Sequence, residues 1–456
     1  MPNRSKIALI IVAILIVIAW VNPVEKPEDT IAPQHETWPG EQDGMEGIDK
    51  EGHLTSHLPI LVLKTRGQQV PGQLREDKSR LLFEYEVISN EEGLNHSYDS
   101  PLQKGKALLS IRGNSSRDFP KKQYLMKTVN MGGEPQDVSI LGLPSHDTWV
   151  LNGSYIDYSQ LRNYIIYNIT SEIMDYAPRS MLCEVMMEDE KGELHYEGVY
   201  TFIEKPVVSK NRLELTKYNN KYENSSFLLQ MNSPIEKMEV EHLLISGTLT
   251  YSYDLEYPKT EELTQQSFDF IQNEIYTLEK QLFDAANRNH WETVENSINM
   301  DSFIDYYLIN EFFQNYDAGR RSTYMYKDVG GKFEMGPVWD FDGAFNNYID
   351  VDFPESELRM RRQHYFYYLM QDPHFVQKCV IRYEELREST LSEEYLLNYI
   401  EEASAYLGDA AIRNCDRWYE GDESKYYDDI EKMKQFVIDR GRWLDDNLEE
   451  LYTVIE

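Results

Sequence analysis

The stretch NYDAGRRSTYMYKDVGGKFEMGPVWDFDGAF, residues 315–345, contains the pattern that decides the fold. Two alternating runs, 322–327 and 332–338, flank a turn that contains two consecutive glycines, and this arrangement predicts a β-hairpin. A predicted helix leads into Asp317, and Asp340 follows the second strand. Because the two strands of a tight hairpin start and finish close together, we expect Asp317 and Asp340 to be neighbours in space.

The aspartates around this hairpin suit phosphoryl transfer. In that chemistry one carboxylate orients the acceptor hydroxyl, and another holds the metal that bridges the phosphates. Asp317 and Asp340 are candidates for these two tasks, and Asp342 offers a second oxygen ligand for Mg²⁺ or Mn²⁺. The alternative is that all three only cap turns at the hairpin ends, where Asp is common. D-F-D-G alone is a weak motif, and the order helix–Asp–hairpin–Asp is more specific.

A second cluster, RGNSSRDFPKKQY at 112–124, lies between two predicted strands. The backbone N–H groups of a Gly/Ser loop bind phosphate, and a lysine on the following strand adds positive charge. Strand alternation places Lys122 on one face with Tyr124 and Met126, and Lys121 on the other. The alternative is a solvated turn with surface basic residues, which the spacing alone favours.

The rest of the chain reads as α+β, with a sheet-rich first half and a mostly helical second half. β-branched and aromatic runs separated by turn residues predict a largely antiparallel sheet, with strands at 60–63, 81–88, 107–111, 123–129, 149–151, 182–187 and 194–203. Apolar residues at helical spacing predict helices at 157–174, 261–288, 302–315 and from about 373 to the end.

Composition excludes several classes of protein. The 456 residues include 45 Lys and Arg against 79 Asp and Glu, a net charge of −34, whereas a general nucleic-acid binder needs a basic surface. The three cysteines, Cys183, Cys379 and Cys415, have no C-x-x-C spacing. A disulfide scaffold and a structural zinc site are therefore excluded.

The N-terminus predicts a membrane anchor. Residues 7–21 are an unbroken apolar run preceded by Arg4 and Lys6, so we interpret residues 1–22 as an uncleaved signal anchor, a single transmembrane helix. The positive-inside rule then places the body outside the cytoplasm. The alternative is a cleaved signal peptide and a secreted protein. Residues 23–58 are acidic and poor in aliphatics, which predicts a flexible linker before a domain at 59–456.

Four stretches together resemble the CotH kinase family, the spore-coat-protein-H-like atypical protein kinases. They are 112–124, QLRNYIIYNI at 160–169, GVYTFIEKP at 198–206, and 315–345. The resemblance implies a divergent protein-kinase-like fold of two lobes, a sheet-rich N-lobe at about 59–235 and a helical C-lobe at about 236–456. It also implies transfer of the ATP γ-phosphoryl group to Ser or Thr of a protein, with Mg²⁺ or Mn²⁺.

The resemblance assigns Asp317 as the catalytic aspartate and Asp340 as the metal-binding aspartate, with Asp342 beside it. The candidate ATP-binding residues are Lys122, Lys121, Arg112, Ser115, Glu204 and Arg321. For the phosphate-contacting lysine we favour Lys122 over Lys121.

One position departs from the family pattern. Many members carry Asn four or five residues after the catalytic aspartate, where this chain has Arg321 and Ser322. We favour a membrane-anchored kinase whose acidic body attracts a basic, Ser-rich surface or spore-coat protein. The alternative is a noncatalytic surface or coat-assembly protein that keeps the fold.

Overall fold

The computed structural model describes residues 31–40, 44–90, 93–232, 252–348 and 356–453. They form a mixed α+β protein, as the sequence predicts. The predicted anchor at 1–22 lies outside these residues. Among the described residues, no helix has the length and apolar character needed to cross a membrane.

The strands are β1 (Gly47–Ile48), β2 (Leu54–Ser56), β3 (Ile60–Lys64), β4 (Leu81–Ile88), β5 (Asn95–His96), β6 (Gln103–Ile111), β7 (Tyr124–Val129), β8 (Thr148–Asn152), β9 (Ser180–Glu188), β10 (Leu194–Glu204), β11 (Phe227–Asn232), β12 (Ser252–Tyr257), β13 (Thr323–Lys327) and β14 (Phe333–Met335). The helices are α1 (Gln34–Thr37), α2 (Arg162–Ser171), α3 (Gln265–Arg288), α4 (Glu292–Ser297), α5 (Met300–Phe312), α6 (His364–Leu369), α7 (Pro373–Arg387), α8 (Glu393–Trp418) and α9 (Ser424–Asn447).

The seven strands predicted in the first half all form, and they close into a barrel. Their order is β10-β8-β7-β6-β4-β3-β9, with β9 returning to β10. The pairing is antiparallel as expected, except that β3 and β9 run parallel. Phe83, Tyr85 and Val87 of β4 are buried, while Leu82 and Glu84, which alternate with them, are exposed. Every second side chain of β4 therefore contributes to the barrel interior, as the two-residue period of a strand requires.

The predicted hairpin forms half of a second sheet, with the strand order β12-β11-β13-β14. β13 and β14 pair with Met325 opposite Met335. The other two strands, β11 and β12, were not predicted. β11 lies beside β13 and brings residues from the middle of the chain to the hairpin.

Helix α2 lies at the centre of the molecule. Its apolar side chains belong to one core that includes Val150 and Ile203 of the barrel and the helices of the second half. The helix begins later than the predicted residue 157 because Gln160, which precedes the N-cap Leu161, has left-handed backbone geometry with φ of 59°.

The structure differs from the predicted flexible linker in the described parts of that segment, residues 31–40 and 44–58. The Gln34 side chain donates to the Leu182 carbonyl oxygen at 3.2 Å and accepts from the Leu182 N–H at 2.6 Å. The His35 ring lies 3.0 Å from the Tyr164 hydroxyl. This segment has few aliphatics, but its amide and aromatic groups pair with polar groups of the body, so the packed structure begins before residue 59.

Candidate active site

A cleft of about 830 Å³ opens between the loop after β6, the end of β11 and the segments on either side of the hairpin. Six of the predicted site residues line it: Asp317, Asp340, Asp342, Arg112, Ser115 and Arg321. The other three, Lys121, Lys122 and Glu204, are not among the lining residues.

Asparagine 315 holds the two ends of the hairpin together. After α5 ends, the Asn315 amide donates to Asn310 Oδ1 at 3.1 Å and to the Trp339 carbonyl oxygen at 3.3 Å. One side chain thus connects the helix end, two residues before Asp317, to the residue before Asp340. The expected neighbourhood of the two aspartates therefore has a specific cause in the structure.

The Asp317 carboxylate has little neutralising charge close to it. Its Oδ1 is buried and has no hydrogen-bond partner in the described part of the chain. The nearest cationic nitrogen, Nη1 of Arg321, is 4.0 Å away. Burial raises the pKa of Asp317, and the negative charge of Asp340 raises it further. The carboxylate consequently holds a proton more tightly than an exposed Asp.

Asp340 is held in a strained backbone conformation, with φ of 66°. Trp339 and Phe341 are buried on either side of it, and the Trp339 ring stacks on Tyr167 with centroids 5.9 Å apart. The Asp340 N–H donates to the Tyr167 hydroxyl at 3.2 Å. Strain of this kind persists where the surroundings determine the conformation, as at functional sites. The Asp340 carboxylate accepts from Ser322 Oγ at 3.0 Å.

Asp342 is buried among neutral hydrogen-bond donors. Ser154 Oγ donates to it at 2.7 Å, and Gln123 Nε2 at 3.3 Å. The side-chain amides of Asn152 and Asn163 also donate to it. Burial, with the charge of Asp340 as a second cause, raises the pKa of Asp342 to about 7. No motif in the sequence predicts these four donors.

The donor chemistry of this cluster fits a hard divalent cation. Asp340, Asp342 and Ser322 present only oxygen atoms, which Mg²⁺ and Mn²⁺ prefer. Within the described ranges, no Lys or Arg nitrogen lies within 4.0 Å of the carboxylate oxygens of Asp340 or Asp342. A metal ion would therefore neutralise negative charge of these carboxylates that no Lys or Arg of the described residues neutralises at this distance.

The loop after β6 forms the opposite wall. Gly113 has φ of 103°, and a Cβ there would lie 1.8 Å from Ser116 Oγ, so the turn requires glycine. Ser115 begins a short 3₁₀ helix, Ser115–Asp118. Arg112 donates to Gln123 Oε1 at 2.8 Å and lies over the Trp339 ring at 5.6 Å. This wall is thereby connected to Asp342 through Gln123.

The two lysines support the structure around this loop. Lys122 Nζ donates to the Arg117 carbonyl oxygen at 2.7 Å. Lys121 is fully buried and donates to Gln160, Asn414 and the Val199 carbonyl oxygen at 2.5–2.8 Å. Burial without a carboxylate contact lowers the pKa of Lys121 to about 7.

Glu204 is buried at the end of β10, away from the cleft lining. Its Oε2 accepts from Arg179 Nε at 2.9 Å, and its Oε1 is 3.6 Å from Arg212 Nε. In this structure the carboxylate therefore pairs with arginines.

Residues 109–444 match a protein-family model described as CotH kinase protein. The match includes the end of β6, the barrel strands β7 to β10, the hairpin and the three cleft aspartates. A search of curated proteins found no match.

Proposed function

The chain belongs to the CotH kinase protein family, and from that premise we propose that it transfers the γ-phosphoryl group of ATP to Ser or Thr side chains of a protein. The observation that carries this proposal is that Asp317 and Asp340 line one cleft from opposite ends of a hairpin. Phosphoryl transfer depends on such positioning and on charge stabilisation more than on covalent chemistry.

In this proposal Asp317 orients the acceptor hydroxyl and receives its proton. Asp317 lines the cleft, and its buried Oδ1 lacks a hydrogen-bond partner within the described residues. The neighbouring charge of Asp340 raises the proton affinity of Asp317. A carboxylate with raised pKa is a better general base than an ordinary Asp.

Asp340 and Asp342 would hold Mg²⁺ or Mn²⁺, which supplies positive charge to the phosphates of ATP. Arg112 and Arg321 add positive charge along the cleft, and Ser115 presents a backbone N–H and a hydroxyl. Lys122 acts indirectly in this proposal, because its ammonium group holds the carbonyl of Arg117 in the same loop. Lys121 and Glu204 stabilise the barrel at positions outside the cleft lining.

We further propose that the barrel serves as the N-lobe and the β11–β14 sheet with its helices as the C-lobe of a kinase-like fold. The apolar run at 7–21 would anchor the body to the membrane, on the side away from the cytoplasm. The net charge of −34 supports a basic, Ser-rich surface or coat protein as substrate. This long-range attraction weakens with salt.

The test is transfer of ³²P from γ-labelled ATP with Mg²⁺ or Mn²⁺, using chain from residue 31, since α1 packs on the barrel. A basic Ser-rich protein and an acidic one serve as acceptors. We expect label on the basic acceptor, and its loss in Asp317→Ala and Asp340→Ala. Asn299→Ala, which removes an amide–carboxylate contact outside the cleft, should retain transfer. No label and no ATP-dependent rise in melting temperature would instead support the noncatalytic assembly protein.

A further inference from the structure

The position five residues after Asp317 contains Ser322 in place of the asparagine that protein kinases use to hold a second Mg²⁺. Ser322 has left-handed backbone geometry, with φ of 49°. Its hydroxyl donates to Asp340 Oδ2 at 3.0 Å. The side chain at this position thus contacts Asp340, the aspartate proposed to bind the metal, but it has no amide oxygen.

The neighbouring strand brings an amide to the same place. Met231 of β11 lies opposite Thr323 of β13, so Asn232 lies beside Ser322 in this antiparallel register. The Ser322 N–H donates to Asn232 Oδ1 at 3.4 Å. Asn232 lines the cleft together with Ser322 and Asp340.

Asp254 determines which way the Asn232 amide points. Asn232 Nδ2 donates to Asp254 Oδ2 at 2.9 Å. An ionised carboxylate only accepts hydrogen bonds, so the NH₂ group must face Asp254, and Oδ1 must face the Ser322 side. Asp254 is 3% exposed and belongs to β12, the outer neighbour of β11. A buried carboxylate therefore orients the amide oxygen toward the neighbourhood of Asp340.

We propose that Asn232 replaces the missing catalytic-loop asparagine and binds a second divalent cation, with Asp340, when a nucleotide occupies the cleft. The ligand class is Mg²⁺ or Mn²⁺, for which an amide carbonyl oxygen is a suitable donor. Asp254 acts as a positioning residue behind it. This inference rests on the proposed function, because the second cation enters with the phosphates.

The experiment measures Mn²⁺ binding by the full chain with a non-hydrolysable ATP analogue. Free Mn²⁺ is followed by electron paramagnetic resonance, which does not depend on turnover. The parent protein should bind about two Mn²⁺ per nucleotide complex. Asn232→Ala should weaken the second Mn²⁺ by about 10–100-fold, the usual effect of disturbing a metal's ligand environment. Asn232→Asp combined with Asp254→Asn keeps an oxygen donor at 232 and a hydrogen bond between the two side chains, so this double variant should retain both ions.

A relocation variant separates metal binding from a structural effect. Ser322→Asn in the Asn232→Ala background returns an amide to the catalytic-loop position, and we expect it to restore the second Mn²⁺. The matched control is Asn299→Ala, because Asn299 Nδ2 donates to a carboxylate, Glu334, at 2.7 Å outside the cleft. That control should bind both ions as the parent does.

Two results would overturn the inference while leaving the proposed function intact: one Mn²⁺ in the parent complex, or two ions bound by Asn232→Ala at parental affinity. Loss of the second ion in the Asn232→Asp/Asp254→Asn double variant, without restoration by Ser322→Asn, would assign Asn232 a structural role and overturn it as well. A parent chain that binds no Mn²⁺–nucleotide would contradict the proposed function itself.

Discussion

Two groups of charged residues, one fully buried and one in the cleft, lie close to α2 and differ in how their charge is balanced. In the first, Arg162 lies between Asp157 and Asp429, with contacts of 2.5 Å to each. All three side chains are at most 3% exposed. The second group is the cleft cluster of Asp317, Asp340 and Asp342, where the nearest guanidinium nitrogen is that of Arg321, 4.0 Å from Asp317.

The difference distinguishes a structural ion pair from a candidate binding site. Burial acts to raise the pKa of Asp429, but the charge and hydrogen bonds of Arg162 outweigh it and lower that pKa. In the cleft, burial and mutual repulsion both raise the pKa of Asp317 and Asp342. A buried charge is costly unless it is paired. The first group is paired within the chain, and the second is suited to a cation from solution.

The largest expected effect comes from Asp317→Asn, which preserves shape and removes charge. We expect phosphoryl transfer to fall by about 10²–10⁴-fold, the range for loss of a general base. The unfolding free energy of the metal-free protein should stay equal or rise, because a repulsive negative charge is gone. Labelled-ATP assays and urea unfolding at pH 7 measure the two quantities. A large loss of stability in this variant would instead mean that Asp317 supports the fold, as the aspartates paired with Arg162 do.

Arg162→Met tests the opposite case. It leaves Asp157 and Asp429 buried without their cation, so the unfolding free energy should fall by about 3–5 kcal/mol. Urea unfolding at 25 °C measures the loss. Adding Asp157→Asn and Asp429→Asn removes the uncompensated charges and should recover part of it. A loss below about 1 kcal/mol would mean that this pair behaves like one at the surface.

The sequence was sufficient where local geometry decides the outcome. The hairpin signal correctly predicted strands on either side of residues 328–331, and with them that Asp317 and Asp340 approach one cleft. The seven barrel strands were also predicted, because alternation and turn residues are local properties. Closure of the barrel was not, since the parallel pairing of β3 with β9 joins segments that are distant in sequence.

The surroundings of Asp342 and Ser322 could not be read from the sequence for the same reason. The donors to Asp342 come from β8, the loop after it, the residue before β7, and α2. Asn232 reaches Ser322 only through the pairing of β11 with β13. The predicted strand alternation was also extended too far toward the N-terminus, where it included Lys121 and Lys122. β7 begins at Tyr124, so the residues before it do not follow the strand period.

The pH dependence of stability provides a third test of the cleft cluster. The pKa of Asp342 is about 7 in the folded protein and about 3.9 in an unfolded chain. Since the folded pKa is the higher one, its contribution to stability is full below about pH 4 and is lost as the pH rises through 7. Asp342→Asn should remove this loss, so the metal-free variant should exceed the parent in unfolding free energy at pH 8 and match it more closely at pH 4. Urea unfolding across this range checks the sign, and a parent that gains more stability than the variant between pH 4 and 8 would contradict it.

The smallest expected effect belongs to Lys122→Ala and tests the cationic wall of the cleft. Because Lys122 Nζ holds the Arg117 carbonyl and is not among the lining residues, its loss removes one hydrogen bond, worth about 1 kcal/mol. Because about 1 kcal/mol corresponds to about a fivefold change in an equilibrium constant, we expect KM for ATP to rise about fivefold while kcat stays within about twofold. Lys122→Arg keeps a donor and should behave as the parent. A fall in kcat of about 100-fold or more with unchanged KM would instead place the ammonium group on the transferred phosphate, because only a contact made in the transition state changes kcat alone. The split between KM and kcat therefore decides whether Lys122 acts on the loop or on the nucleotide.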